Sequence, residues 1–300
     1  MVSPSRKRRA AKHLVVEKQS SVRAACRSMD LQRSSYYYEA KDSSFVQRLK
    51  ERIEEVCLKN PRYGHRRITA VLKREGWRVN KKRIQRFMRR EGLKVTTKSK
   101  RRKRIGISTS ERKKAQYKGH VWSWDFLHDR TEDGRQLRFL TIVDEYTREC
   151  FAIRVGRSLG SMEVIGELRS LMATCGAPEH IRSDNGSEFI SAAIKSWLSA
   201  SSIGTIYIEP GSPWENPYIE SFNGKLRDEC LNREIFTSVL EARVIVEDWR
   251  REYNENRPHS SLGYVPPAEF ARLSLTPVAT LPPSERGKGE DVLDIAKVLH

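Results

Sequence analysis

No apolar run in this 300-residue chain is long enough to cross a bilayer. The basic opening Arg6-Lys7-Arg8-Arg9 is not followed by a secretory core. The five cysteines, at 26, 57, 150, 175 and 230, form no C-x-x-C pair and no even-numbered framework. That excludes a disulfide scaffold and makes a reducing cytoplasm the expected home. Neither His13 nor His65 joins the cysteines at the paired spacing of a structural zinc site. No G-x-x-x-x-G-K-[ST] loop is present, so no nucleotide-driven step is expected.

Acid is scarce in the front of the chain. Residues 1–118 hold 37 Lys and Arg against 10 Asp and Glu, a net of +27, whereas residues 119–300 hold 20 against 28, a net of −8. A solvated charged face does not account for so lopsided a distribution, and a phosphate-binding front does. Within that front, helical patterns at about 45–59 and from Arg66 to Glu75 are followed by Gly76-Trp77-Arg78-Val79 and a further helix from Lys81 to Glu91. Two helices around a short glycine-containing turn read as a helix-turn-helix. In the last helix Ile84, Phe87 and Met88 take the core side, leaving Lys81, Lys82, Arg83, Arg86, Arg89 and Arg90 for DNA, with Arg66 and Arg67 from the helix before. Ser21 to Tyr38 suggests another small helical pair, in which Tyr36, Tyr37 and Tyr38 are expected to be buried rather than stacked on bases. Lys98 to Arg104, basic at six of seven positions, reads as an extended linker able to follow a phosphate backbone.

The back half alternates differently. Val121 to Leu127, Arg138 to Val143 and Glu149 to Val155 read as three consecutive strands, and strand-helix alternation follows, which predicts a mixed α/β sheet. Period-two alternation in the first strand puts Trp122, Trp124 and Phe126 on one face and Ser123 and Asp125 on the other. Asp184 opens Asp184-Asn185-Gly186, a turn sequence after a strand. Glu220 lies on a helix that Asn216 can cap and Pro217 can open, beside the apolar stripe Ile219, Phe222, Leu226 and Cys230, and it projects on the same side as Arg227. Any one of these acids alone reads more simply as a solvated side chain. Together, two from strand-like segments and one from a helix, they suit divalent cations held over a phosphodiester. Asp144 has similar local credentials, but Asp-Glu-Tyr-Thr-Arg reads as a hairpin turn.

Several ordered signatures from Pro61 to Phe270 resemble the second reading frame of the insertion sequence 3 family, bacterial transposases with a retroviral-integrase-like core. They are Pro61-Arg62-Tyr63-Gly64-His65-Arg66-Arg67-Ile68, Trp124-Asp125-Phe126, Ser183-Asp184-Asn185-Gly186, Ile219-Glu220-Ser221-Phe222-Asn223-Gly224, and Asn256-Arg257-Pro258-His259-Ser260-Ser261-Leu262-Gly263-Tyr264. The resemblance implies a ribonuclease-H-like mixed sheet flanked by helices, preceded by an all-α helix-turn-helix region. It makes Asp125, Asp184 and Glu220 the catalytic and metal-binding acids, and adds Lys225 and Arg227 to the DNA contacts.

The expected cofactor is Mg2+, with Mn2+ able to substitute, since carboxylate and phosphate oxygens suit such ions. The expected partners are the element's terminal repeats and target DNA, further copies of the chain assembled on DNA, and the leading-frame protein or a fusion with it. No membrane partner is expected. The implied organisation is a basic helical region at 1–44, the helix-turn-helix at 45–97, a basic linker at 98–116, the catalytic core with its C-terminal helix at 117–272, and a tail at 273–300. The residues by themselves leave open a metal-dependent nuclease of the same fold and a DNA-binding regulator with an idle core.

Overall fold

The computed structural model describes residues 3–38, 44–95, 114–183, 191–207 and 216–275. Asp184, most of the expected basic linker, residues 208–215 and residues beyond 275 lie outside the described residues. The chain divides into two compact units, residues 1–55 and 56–300.

In the first unit α1 (Pro4–Glu17), α2 (Val22–Ser28) and α3 (Arg33–Tyr36) follow one another. Proline starts α1, where its missing N–H costs no helical bond, and Ser21 Oγ caps α2 by accepting the Ala24 N–H at 3.2 Å. Lys7 Nζ meets the Asp30 carboxylate at 2.9 Å and Arg8 Nε donates to the Ser35 carbonyl at 2.6 Å, tying α1 to the segments that follow. The tyrosine run departs from expectation: Tyr37 and Tyr38 are 61% and 57% exposed. They fall beyond the last turn of a four-residue helix, which gives them no shared face to bury.

Helix α4 (Ser44–Lys59) runs across the division, and α5 (His65–Arg74) and α6 (Lys81–Arg90) follow it. The turn between α5 and α6 uses Gly76 at φ +87°, in the left-handed region where glycine meets no Cβ clash. Asn80 caps α6 by accepting the Lys82 N–H at 2.9 Å. Ile84, Phe87 and Met88 are buried as their spacing requires.

The core begins with the antiparallel strands β1 (Val121–Arg130), β2 (Gln136–Asp144) and β3 (Cys150–Gly156). Helix α7 (Ser161–Cys175) carries the chain over to β4 (His180–Ser183), and α8 (Ala192–Ala200) carries it on to β5 (Gly204–Tyr207). β4 is parallel to β1 and β5 to β4, so the sheet order is β3-β2-β1-β4-β5. Strand alternation splits the core into two layers. Trp122, Trp124, Leu140 and Ile142 pack with Val164, Leu168, Ile194 and Leu198 of α7 and α8. On the other face Leu137, Phe139 and Val143 pack with α9 (Pro217–Glu229) and α10 (Val239–Glu255) through Ile219, Phe222, Leu226, Val246 and Tyr253. Helix α11 (Pro267–Leu275) ends the described chain. This is the ribonuclease-H-like α/β arrangement, a mixed sheet between helical layers.

Asp144 is wholly buried and serves the hairpin. Its Oδ1 accepts the N–H groups of Tyr146 and Thr147 at 3.0 and 2.7 Å, and its Oδ2 accepts that of Gly119 at 2.8 Å. Three backbone N–H groups so engaged make it a structural acid.

Candidate active site

Asp125 sits in the middle of β1 and pairs in register with Thr141 of β2. The alternation that sends Trp122 and Trp124 to one layer turns Asp125 toward α9. There Asn223, a buried residue of α9, bridges the two strands: its Nδ2 donates to Asp125 Oδ2 at 2.8 Å, and its Oδ1 accepts from Thr141 Oγ1 at 3.0 Å. Asp125 Oδ1 accepts the Phe126 N–H at 2.8 Å. The Asn223 amide and the Phe126 N–H thus fix the direction of the carboxylate.

Glu220 is exposed in the first turn of α9, three residues before Asn223 and so about 4.5 Å along the helix axis from it. Since Asn223 touches Asp125, Glu220 and Asp125 belong to one face. Asn216 occupies the N-cap and Pro217 the first turn as expected, although the Asn216 side chain makes no capping bond. Arg227, one further turn along the same side, donates from Nη2 to the His128 carbonyl near the end of β1 at 2.9 Å, not to an acid of its own helix. Asp184 directly follows β4, the strand beside β1, and lies outside the described residues. The signature Glu220-Ser221-Phe222-Asn223 contains the missed residue Asn223; helical spacing alone gave a sign of its shared side with Glu220.

The expected DNA contacts divide in two. Lys81, Lys82, Arg83, Arg86, Arg89 and Arg90 all lie on the exposed side of α6, and Arg66 is exposed on α5. Arg67 points the other way: its Nη1 is 3.7 Å from Glu229 on α9, and its side chain is mostly covered. Around it, Arg62 forms a two-pronged pair with Asp228, Arg257 meets both Glu229 oxygens at 2.5 and 2.7 Å, Arg74 reaches Glu269 at 2.6 Å and Lys59 reaches Glu252 at 3.1 Å. These pairs join the basic front to the helices of the core. From Val56 onward it belongs to the same compact unit as the sheet, because its cations match acids on α9, α10 and α11. Lys225 is half-buried, and its Nζ donates to the Ser221 carbonyl and hydroxyl at 3.0 and 2.8 Å. Burial first, and then the neighbouring Arg257, pushes its ammonium down to about 7 against the pull of Glu229, with Arg67 and Arg148 adding to the shift.

A model of the HTH-like domain matches residues 45–103, and models of the integrase core domain match 115–213 and 201–267. The chain is 41% identical over 254 residues to a 31.7 kDa protein of insertion element IS407 from Burkholderia multivorans, covering 84% of this chain and 90% of that one. It is 39% identical over 273 residues to a 39.2 kDa protein of insertion element IS476 from Xanthomonas euvesicatoria, covering 90% and 78%. The chain belongs to the integrase-core transposases of insertion sequences. A more distant relative of this transposase, at 29% identity over 75% of this chain and 94% of the other, is the transposase for insertion sequence element IS904 from Lactococcus lactis.

Integrase cores depend on a divalent metal. The donors of this transposase fit one: Asp125 and Glu220 offer only carboxylate oxygens, and the hard-cation chemistry of such a set needs no nitrogen or sulfur ligand.

Proposed function

We propose that this transposase cuts DNA at the ends of its insertion sequence and joins the freed 3′ ends to target DNA, using Asp125, Asp184 and Glu220. The observation that carries the reading is the Asn223 bridge, which draws the helix of Glu220 onto the strand of Asp125. Mg2+ held by the three acids would polarise the scissile phosphate and favour ionisation of the attacking hydroxyl. The chain's own residues position that chemistry. Asn223 and the Phe126 amide fix the rotamer of Asp125, so little reorganisation is needed when substrate arrives. Arg227, anchored to the end of β1, offers its remaining N–H groups to a phosphate beside the acids.

In the first step water attacks the phosphorus and the bond to the terminal 3′ oxygen breaks, leaving a 3′-hydroxyl. In the second, that hydroxyl attacks a target phosphodiester: one P–O bond forms as another breaks, which is why no nucleotide triphosphate is required. The exposed arginines and lysines of α6 bind the terminal repeats, and the reaction requires two ends, so the working form is a multimer on DNA. Where a leading-frame protein accompanies the chain, it would add to recognition of the ends.

The test is a strand-transfer assay on labelled terminal-repeat DNA in Mg2+. Asp125→Asn, Asp184→Asn and Glu220→Gln should each lower joined product by on the order of 10³-fold or more while DNA binding persists. Nicking without joining by the unaltered chain would favour a nuclease. Binding without metal-dependent chemistry would favour a regulator.

A further inference from the structure

A second cluster of ligating side chains lies at the other end of the strands that lead to the acids. β1 and β4 are parallel, and they are zipped at their starts: the His180 N–H donates to the His120 carbonyl at 3.0 Å and the Glu179 N–H to that of Gly119 at 2.9 Å. This brings together His120, Glu179 and His180, whose ligand atoms all lie within 4.8 Å of one another. Glu179 Oε2 is 3.7 Å from His120 Nε2 and 3.9 Å from His180 Nδ1. Those separations are too long for hydrogen bonds. They approach the edge of a tetrahedron around a metal with bonds of 2.0–2.1 Å, roughly 3.4 Å.

Three features show a site held in shape. His180 Nδ1 is buried without a hydrogen-bond partner, a cost that a metal ion would remove. The Tyr117 ring stacks on His120 at 4.8 Å between centroids while its hydroxyl holds the Glu179 carboxylate, the kind of outer support that orients metal ligands. Gly204 lies against the His180 ring so closely that a Cβ there would stand 2.7 Å from Cδ2. One contact opposes loading: His120 Nδ1 accepts the Gln116 N–H at 3.1 Å, which puts the ring proton on Nε2. Ligation through Nε2 therefore moves that proton to Nδ1 and releases the Gln116 amide.

We propose that His120, Glu179 and His180 bind a divalent transition-metal ion of the Zn2+ class, with water completing the coordination. Two imidazoles and one carboxylate suit Zn2+ or Co2+ and not Mg2+. His120 precedes Asp125 by five residues of extended chain, about 16 Å, so the ion is separate from any held by the catalytic acids. It would clamp β1 to β4 at their N-terminal ends, and it stands whether or not the acids act as proposed above.

The test uses Co2+ alone with the full chain carrying Asp125→Asn and Glu220→Gln, so that those acids do not take up the probe. The expected result is one equivalent of cobalt with the intense visible bands of tetrahedral geometry, undisturbed by a large excess of Mg2+. His120→Ala, His180→Ala and Glu179→Gln should abolish the bands. Glu179 is 54% exposed on its side chain, so its variant reports on binding even if the histidine variants fail to fold. Absence of a stoichiometric tetrahedral spectrum, bands that survive in the Glu179→Gln variant, or a sulfur-to-metal charge-transfer band pointing to the cysteines would overturn the proposal.

Discussion

Helix α9 carries acids at both ends, and the two ends are built in opposite ways. At the N-terminal end Glu220 is exposed, and the nearby Asp125 is oriented by an amide and a backbone N–H. At the C-terminal end Asp228 and Glu229 are gripped by Arg62, Arg67 and Arg257, with Arg257 only 1% exposed. At the C-terminal end the guanidinium pairs attach the helix-turn-helix region. The same residue type is thus exposed at one end of the helix and tied into the fold by guanidinium groups at the other.

Substitutions can break this contrast at either end. The largest expected effect on activity is that of the acids themselves, described above, with thermal stability nearly unchanged for Glu220→Gln because the side chain is exposed. At the opposite end the expected loss is one of stability: Arg257→Ala leaves Glu229 largely buried beside a weakened set of partners and should cost about 3–5 kcal/mol, read from the midpoint of urea unfolding. An unchanged midpoint would show that Arg67 alone satisfies Glu229. Asn223→Ala removes the donor that orients Asp125 and should lower strand transfer about 10–100-fold, judged by the usual cost of losing such supporting contacts. A loss confined to stability, with normal turnover per folded molecule, would make Asn223 a packing residue only.

Acid pH sharpens the contrast further. His259 is buried against Tyr253, and burial pushes its imidazole far below the usual range, helped by Lys225, Arg257, Arg148 and Arg67. The unfolded chain takes up that proton below about 6.5 while the folded chain resists it, so folding is favoured less as the pH falls from there toward the depressed folded value. His259→Gln should flatten the fall in melting temperature over that window; an unchanged slope would assign the acid sensitivity elsewhere. The smallest effect is at Lys225, whose amine should titrate near 7 by NMR of the methylated lysine and move upward when terminal-repeat DNA is added. No movement on saturation with DNA would remove Lys225 from the phosphate contacts.

Much of this was legible in order along the chain. Alternation around Asp125 and helical spacing around Ile84 and Phe87 report the local face, and the structure keeps both. What could not be read was pairing across long stretches. Arg62 and Asp228 are 166 residues apart, and nothing in Pro61-Arg62-Tyr63-Gly64 distinguishes a guanidinium bound for a phosphate from one bound for a carboxylate. Arg67, expected at DNA, stands beside Glu229 in the same way. Tyr117 and Glu179, 62 residues apart, meet only because β1 and β4 run parallel. The tyrosines at 37 and 38 failed differently, since aromatic character argues for burial only where an element provides a face.

The arginine grip on the end of α9 also sets a measure. Because α5 and α6 share one compact unit with the sheet, the distance from α6 to Asp125 and Glu220 is set by the packed protein and not by a free tether. On a duplex turning once in about 10.5 base pairs, each inserted pair rotates the cleavable bond by roughly 34° relative to the recognised sequence. The function proposed above therefore predicts that the element's ends keep a constant count of base pairs between the sequence that is read and the bond that is cut.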